Sequence, residues 1–104
     1  MDNFKIIYRI LRYLEKSMDC EELDLEQISA SKFGISEPRW VSLMGIIVSE
    51  GFVDGISVKR SVGGETLLSY SNPRITLKGL EYLQENSLMR KAAQLAQGVS
   101  EIIP

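Results

Sequence analysis

The chain has 104 residues, 44% of them hydrophobic and 25% charged, with a formal charge of −2, a single cysteine and no histidine. That length fits one globular domain and leaves no room for a substrate domain beside a cofactor domain. Lone Cys20 excludes an internal disulfide, and without histidine a zinc site would need an all-carboxylate shell.

The same composition removes histidine-dependent catalysis. Cys20 sits among carboxylates in "KSMDCEELD", which raise a thiol's pKa and leave it a poor nucleophile. No glycine-rich phosphate loop with its lysine is present, since "SVGGE" lacks the spacing. The expectation is a non-catalytic protein with no cofactor and no metal. No run reaches the roughly 20 apolar residues of a membrane span, and "MDNFKIIYRI" lacks the features of a signal peptide, so a cytoplasmic protein without membrane contact is expected.

Charge is unevenly distributed. Residues 19–26 carry Asp19, Glu21, Glu22, Asp24 and Glu26 without a cation, whereas residues 59–78 carry Lys59, Arg60, Arg74 and Lys78 against Glu65 alone. The net charge argues against purely electrostatic nucleic-acid binding, but the polarisation leaves a local basic surface open.

In chain order, residues 3–17 place Phe4, Ile7, Leu11 and Leu14 on one helical stripe, with Lys5, Arg9, Arg12 and Lys16 as a basic ridge opposite. Such a ridge is either a solvated face or a phosphate-contacting one. In "LDLEQISASKFG", Asp24 is expected to cap a short helix with Leu25 and Ile28 inward, ended by Gly34. A third helix over 37–50 follows from Ser36 as cap, Glu37 and Pro38 in the first turn, and Gly51 as a left-handed stop. Its apolar set is Trp40, Val41, Leu43, Met44, Ile47 and Val48, with Arg39, Ser42, Gly45, Ile46 and Ser49 on the remaining arc. Trp40 is expected in the core, with Tyr8, Tyr13, Tyr70 and Tyr82 in or beside it.

Two β-rich runs, "FVDGISVKR" and "TLLSYS", flank "SVGGE" and predict a hairpin with a Gly-Gly turn, Pro73 ending the second strand or lying at its edge. Thr76 then caps a helix whose Leu77, Leu80 and Leu83 or Tyr82 point inward. In the last run, Leu88, Ala92, Leu95, Val99 and Ile102 alternate at four and three. This seam either packs on the first helix of the same chain or forms a homodimer contact. Gly98 weakens it by about 1 kcal/mol relative to alanine.

The resulting fold class is α+β, mainly α: a winged helix-turn-helix of three helices, a two-stranded wing and one or two C-terminal helices. Residues 1–86 would form the domain, and 87–104 the C-terminal amphipathic helix. The stretches "FKIIYRILRYLEK", "GISEPRWVSLMGIIVSEGFVDGI" and, above all, "ITLKGLEYLQENS" resemble the YjcQ-like winged-helix proteins, small proteins of bacteria of the Bacillus type and of their phages and prophages. The resemblance implies the same fold and a bacterial or phage setting. It carries over no catalytic or binding residue.

Two functions fit. In the first, the protein is a DNA-binding, transcription-regulatory module. Lys59, Arg60, Arg74 and Lys78 meet the phosphates of double-stranded DNA, and Ser36, Arg39, Ser42 and Ser49 of the third helix lie in or beside the major groove. In the second, the weakly charged third helix binds a protein partner through Ser42, Gly45 and Ile46.

Overall fold

The computed structural model describes residues 2–86. Its order is α1 (Asn3–Lys16), a 3₁₀ turn (Ser17–Asp19), a second 3₁₀ turn (Leu25–Gln27), α2 (Ala30–Phe33), α3 (Glu37–Ser49), β1 (Val53–Arg60) and β2 (Thr66–Ile75). A further helix, α4, starts at residue 77 and is described through 86. Helices followed by a two-stranded antiparallel hairpin and a C-terminal helix make this a winged-helix fold. Among the described residues no helix is long and apolar enough to cross a membrane. The seam expected from Leu88, Ala92, Leu95, Val99 and Ile102 and the helix expected over 87–104 fall outside the described residues.

α1 is capped by Asp2, whose side chain accepts the Lys5 N–H. Its buried residues are Ile6, Ile7, Ile10, Leu11 and Leu14, and the expected basic ridge is exposed. Phe4 departs from expectation: it is 75% exposed, while Ile6 and Ile10 are fully buried. At about 100° per residue, Phe4 lies roughly 90° around the helix from the centre of the buried stripe. Arg74 lies at the other end of α1, half-buried, and its Nη1 donates to the Ser17 carbonyl at 3.2 Å.

The expected single short helix after Asp24 is divided in two. Asp24 does cap, but only the 3₁₀ turn, accepting from Glu26 N–H and from Gln27 Nε2. Ser29 then takes an extended conformation and starts α2 afresh, accepting the Lys32 N–H. Side chains that bond the local backbone compete with helix continuation, which explains the break. Ile28 is buried as expected, whereas Leu25 is exposed. The turn ends at Ile28, so Leu25 has no α2 turn below it to fix it inward. Gly34 closes α2 with a left-handed φ of 66°.

α3 follows expectation, with Ser36 accepting the Arg39 N–H and Trp40, Leu43, Met44 and Ile47 buried. With the α1 stripe, Ile28, Val53, Ile56, Ile75 and Leu83, these form one core, with all four tyrosines partly buried against it. Phe33 stacks on Trp40 at 5.7 Å.

β1 and β2 pair with Val53 opposite Ile75 at the base and Arg60 opposite Thr66 at the far end. Asp54-Gly55 is not a turn. Gly55 faces the three residues Ser71, Asn72 and Pro73 across an irregularity in register. A side chain on Gly55 would run into the Ser71 carbonyl and stand 2.8 Å from the Asn72 carbonyl, and its φ is +81°. Such a bulge bends the strand and strengthens its twist, so this point sets the direction of the outer hairpin. Pro73 is buried there, inside β2, where the displaced backbone does not require its missing N–H.

α4 is capped by Thr76, whose Oγ1 accepts the Gly79 N–H at 3.1 Å and donates to the Gly51 carbonyl at 2.6 Å. Its inward side is Gly79, Leu80 and Leu83. Leu77, expected inward, is 72% exposed. At about 100° per residue it lies roughly 110° around the helix from the centre of that inward side.

Gly79→Ala should lower stability by about 1–3 kcal/mol, read from denaturant midpoints, because the new methyl meets the Phe52 carbonyl and stands 2.7 Å from Ile75 Cγ1. Burial raises the pKa of the Tyr82 phenol, which lies 4.9 Å from the Phe52 ring. The neutral phenol is therefore favoured in the fold. Its contribution is complete below the ordinary phenol range and is lost as pH rises through the raised value. Denaturation midpoints should fall above about pH 10, and Tyr82→Phe should reduce that fall.

Candidate functional site

The outward side of α3 presents Ser42, Ile46 and Ser49 to solvent, with Gly45 half-buried beside them. Ile46 is 50% exposed, and a side chain placed on Gly45 would meet nothing within 4 Å. This face is weakly polar and nearly uncharged. Its two ends hold carboxylates, the exposed Glu37 in the first turn and Glu50 at the C-cap. Ser36 is used as the helix cap. Arg39 is half-buried, and its Nε donates to Asn3 Oδ1 at 2.9 Å, which ties the start of α3 to the start of α1.

The hairpin tip is a five-residue loop, 61–65, the "SVGGE" segment expected between the two strands. Ser61 organises it. Its N–H donates to the Glu65 carbonyl at 2.6 Å, its carbonyl accepts the Gly64 N–H at 3.0 Å, and its hydroxyl accepts the Glu65 N–H at 3.2 Å. Gly64 supplies the left-handed residue, with φ +89°, and Val62 is fully exposed at the tip.

Strand alternation separates the two wing cations. Successive side chains point to opposite faces, so Lys59 shares the outer face with Ser57, Leu67 and Ser69, all exposed. Arg60 continues the inner face of Ile56, Val58, Leu68 and Tyr70 beyond the end of the core. The pair straddles the wing.

Arg74 and Lys78 stand elsewhere. Arg74 pairs with Asp54 at the base of the hairpin, about 16 Å along the strand from Lys59 at 3.3 Å per residue. Lys78 is exposed in the first turn of α4, with its Cδ 3.9 Å from the position a Gly51 side chain would take. It therefore lies against the C-terminal end of α3, where a cation also suits the helix dipole. The structure thus brings Ser42, Gly45, Ile46 and Ser49 onto one face and Lys59 and Arg60 to one tip. Arg74 and Lys78 lie at the junction between the hairpin and α3.

This architecture covers the sequence from α1 through α4, and a family model described as "YjcQ protein" matches residues 8–102. The chain belongs to the YjcQ protein family. No curated protein and no solved structure matches this YjcQ-family chain.

Two residues important to the site's geometry carried no sequence signal. Asn3 holds Arg39 across 36 positions, and Phe33 stacks on Trp40 while lying 5.3 Å from the Arg9 guanidinium. Exposed Leu67 on the wing's outer face could have been found from strand alternation once the register was fixed.

Arg74→Ala should lower stability by about 1 kcal/mol, since it removes a charged donor from a half-buried carbonyl. Lys59→Ala, at an exposed strand position, should stay within about 0.5 kcal/mol of wild type. Urea denaturation of the two variants side by side checks the contrast.

Proposed function

We propose that this YjcQ-family chain is a non-catalytic winged-helix protein that binds double-stranded DNA, as a transcription-regulatory module of bacterial or phage origin. The observation that carries this reading is the exposed face of α3 beside a hairpin that ends in exposed Lys59 and Arg60. In this reading α3 lies in the major groove and the wing crosses the adjacent backbone. Because Lys59 and Arg60 point to opposite faces, they contact phosphates on either side of the wing. Lys78 adds a third contact from the end of α3.

Base reading by α3 is limited to what Ser42, Ile46 and Ser49 offer: hydroxyl hydrogen bonds and an apolar contact with a thymine methyl. Arg39 remains a positioning group, held by Asn3. Sequence preference then rests mainly on the shape and deformability of the duplex.

A second reading is favoured by one observation, the half-exposed Ile46 next to open space over Gly45. An apolar residue beside a glycine suits close approach by a partner protein's helix. Ser42, Gly45 and Ile46 would then form the contact, and the wing cations would be indifferent.

Fluorescence anisotropy with a generic duplex separates the two. DNA binding predicts a log–log salt slope of about −3 from the three cations, and a clear loss of affinity in a Lys59→Glu, Arg60→Glu variant. Absence of binding below about 100 μM at low salt overturns the DNA reading and leaves the protein-contact reading in place.

A further inference from the structure

The basic ridge of α1 has no role in the wing-and-α3 site, yet the fold fixes it beside that site. Lys5, Arg9, Arg12 and Lys16 are all exposed on the side opposite the buried stripe. From Lys5 to Lys16 the ridge runs about 16 Å at 1.5 Å per residue. The helix that carries it is tied to the N-terminal end of α3 through the bond from Arg39 to Asn3, which lies on the inward side of α1, about 200° around from Lys5. One turn further on, the Arg9 guanidinium lies over Phe33, whose ring stacks on Trp40 of α3. The hairpin base and Lys78 adjoin the other end of α3. α3, about 20 Å long, therefore has cations beyond each of its ends.

The far end of the ridge differs in charge. Arg12 pairs with Glu15, and beyond Lys16 the chain enters the acidic segment. The Tyr13 hydroxyl fixes that segment beside α1, accepting the Asp24 N–H at 3.0 Å and donating to the Asp24 carbonyl at 3.2 Å. Asp19, Glu21, Glu22, Asp24 and Glu26 are all exposed there. A polyanion approaching α1 is repelled from this end and drawn to the end next to α3.

We propose that Lys5 and Arg9 form a second phosphate-contact surface, which grips the sugar–phosphate backbone of the duplex at the end of α3 remote from the wing. This rests on the DNA-binding reading above and extends it to a two-sided grip. A phosphate backbone fits better than an acidic protein because the middle of the ridge offers no exposed apolar residue, and the centre of a protein interface is normally apolar.

The test uses the full chain and a generic duplex, with anisotropy recorded across a salt series. A Lys5→Glu, Arg9→Glu variant should flatten the log–log salt slope by about 2 and weaken binding alike for every duplex sequence. The neutral Lys5→Gln, Arg9→Gln variant should flatten it similarly with a smaller loss of affinity, and circular dichroism of both variants separates lost contacts from lost fold. If the ridge variants match wild type while the Lys59→Glu, Arg60→Glu variant is impaired, the ridge proposal is overturned and the wing reading stands. If wild type binds no duplex, the DNA reading and the ridge proposal fail together. Ridge-dependent binding of an oligoglutamate peptide without duplex binding gives the ridge to an acidic protein partner and overturns the proposal.

Discussion

The junction of residues 51–52 with 75–79 holds the parts of this fold in their relative positions. The Thr76 N–H donates to the Phe52 carbonyl at 3.0 Å, and the Thr76 hydroxyl bonds both the Gly51 carbonyl and the Gly79 N–H. Gly79 has no side chain where the Phe52 carbonyl passes. In this small volume α3 ends, β1 begins, β2 ends and α4 begins. The direction of the wing relative to α3 follows from this fastening and from the bulge opposite Gly55. Neither point tolerates a side chain without displacing backbone.

A second fastening lies at the opposite end of α3. Asn3 and Arg39 join the starts of α1 and α3, and Phe33 against Trp40 seats the one-turn α2 on the helix it precedes. A four-residue α2 has few bonds of its own, so this stacking and buried Ala30 hold it in place. The consequence for function is that α3 is fixed at both ends while Ser42, Ile46 and Ser49 face outward along it. A helix held in this way can meet a groove or a partner as a rigid body, without an ordering cost at the moment of contact.

Much of this was legible in the sequence. Ser36 before Glu37-Pro38 and Gly51 after Glu50 marked α3, because caps act through backbone groups within one turn. Trp40 in the core, the exposed basic ridge and the two-stranded hairpin also followed from local pattern. What misled was phase. Phe4 and Leu77 belong to apolar repeats at nearly the right spacing, yet each lies at the edge of its buried face or beyond it. The hairpin loop falls where "SVGGE" placed it, and only the structure shows that Ser61 bonds to residues 64 and 65 close it. For the candidate site, the residue types were legible and their grouping was not.

By itself the sequence determined the order of elements, the caps of α3 and α4 and most of the apolar faces, since these depend on contacts within a few positions of the chain. It also determined the polarity of charge, with acid after α1 and cations about the hairpin. Only the tertiary structure decided which cations stand together. Lys59 and Arg60, adjacent in sequence, part to opposite faces because a strand alternates. Arg74 bonds the Ser17 carbonyl just beyond α1, 57 positions away, and Arg9 of the α1 ridge comes to lie over Phe33, which stacks on Trp40 of α3. Such groupings arise from long-range packing, whose partners no local spacing encodes.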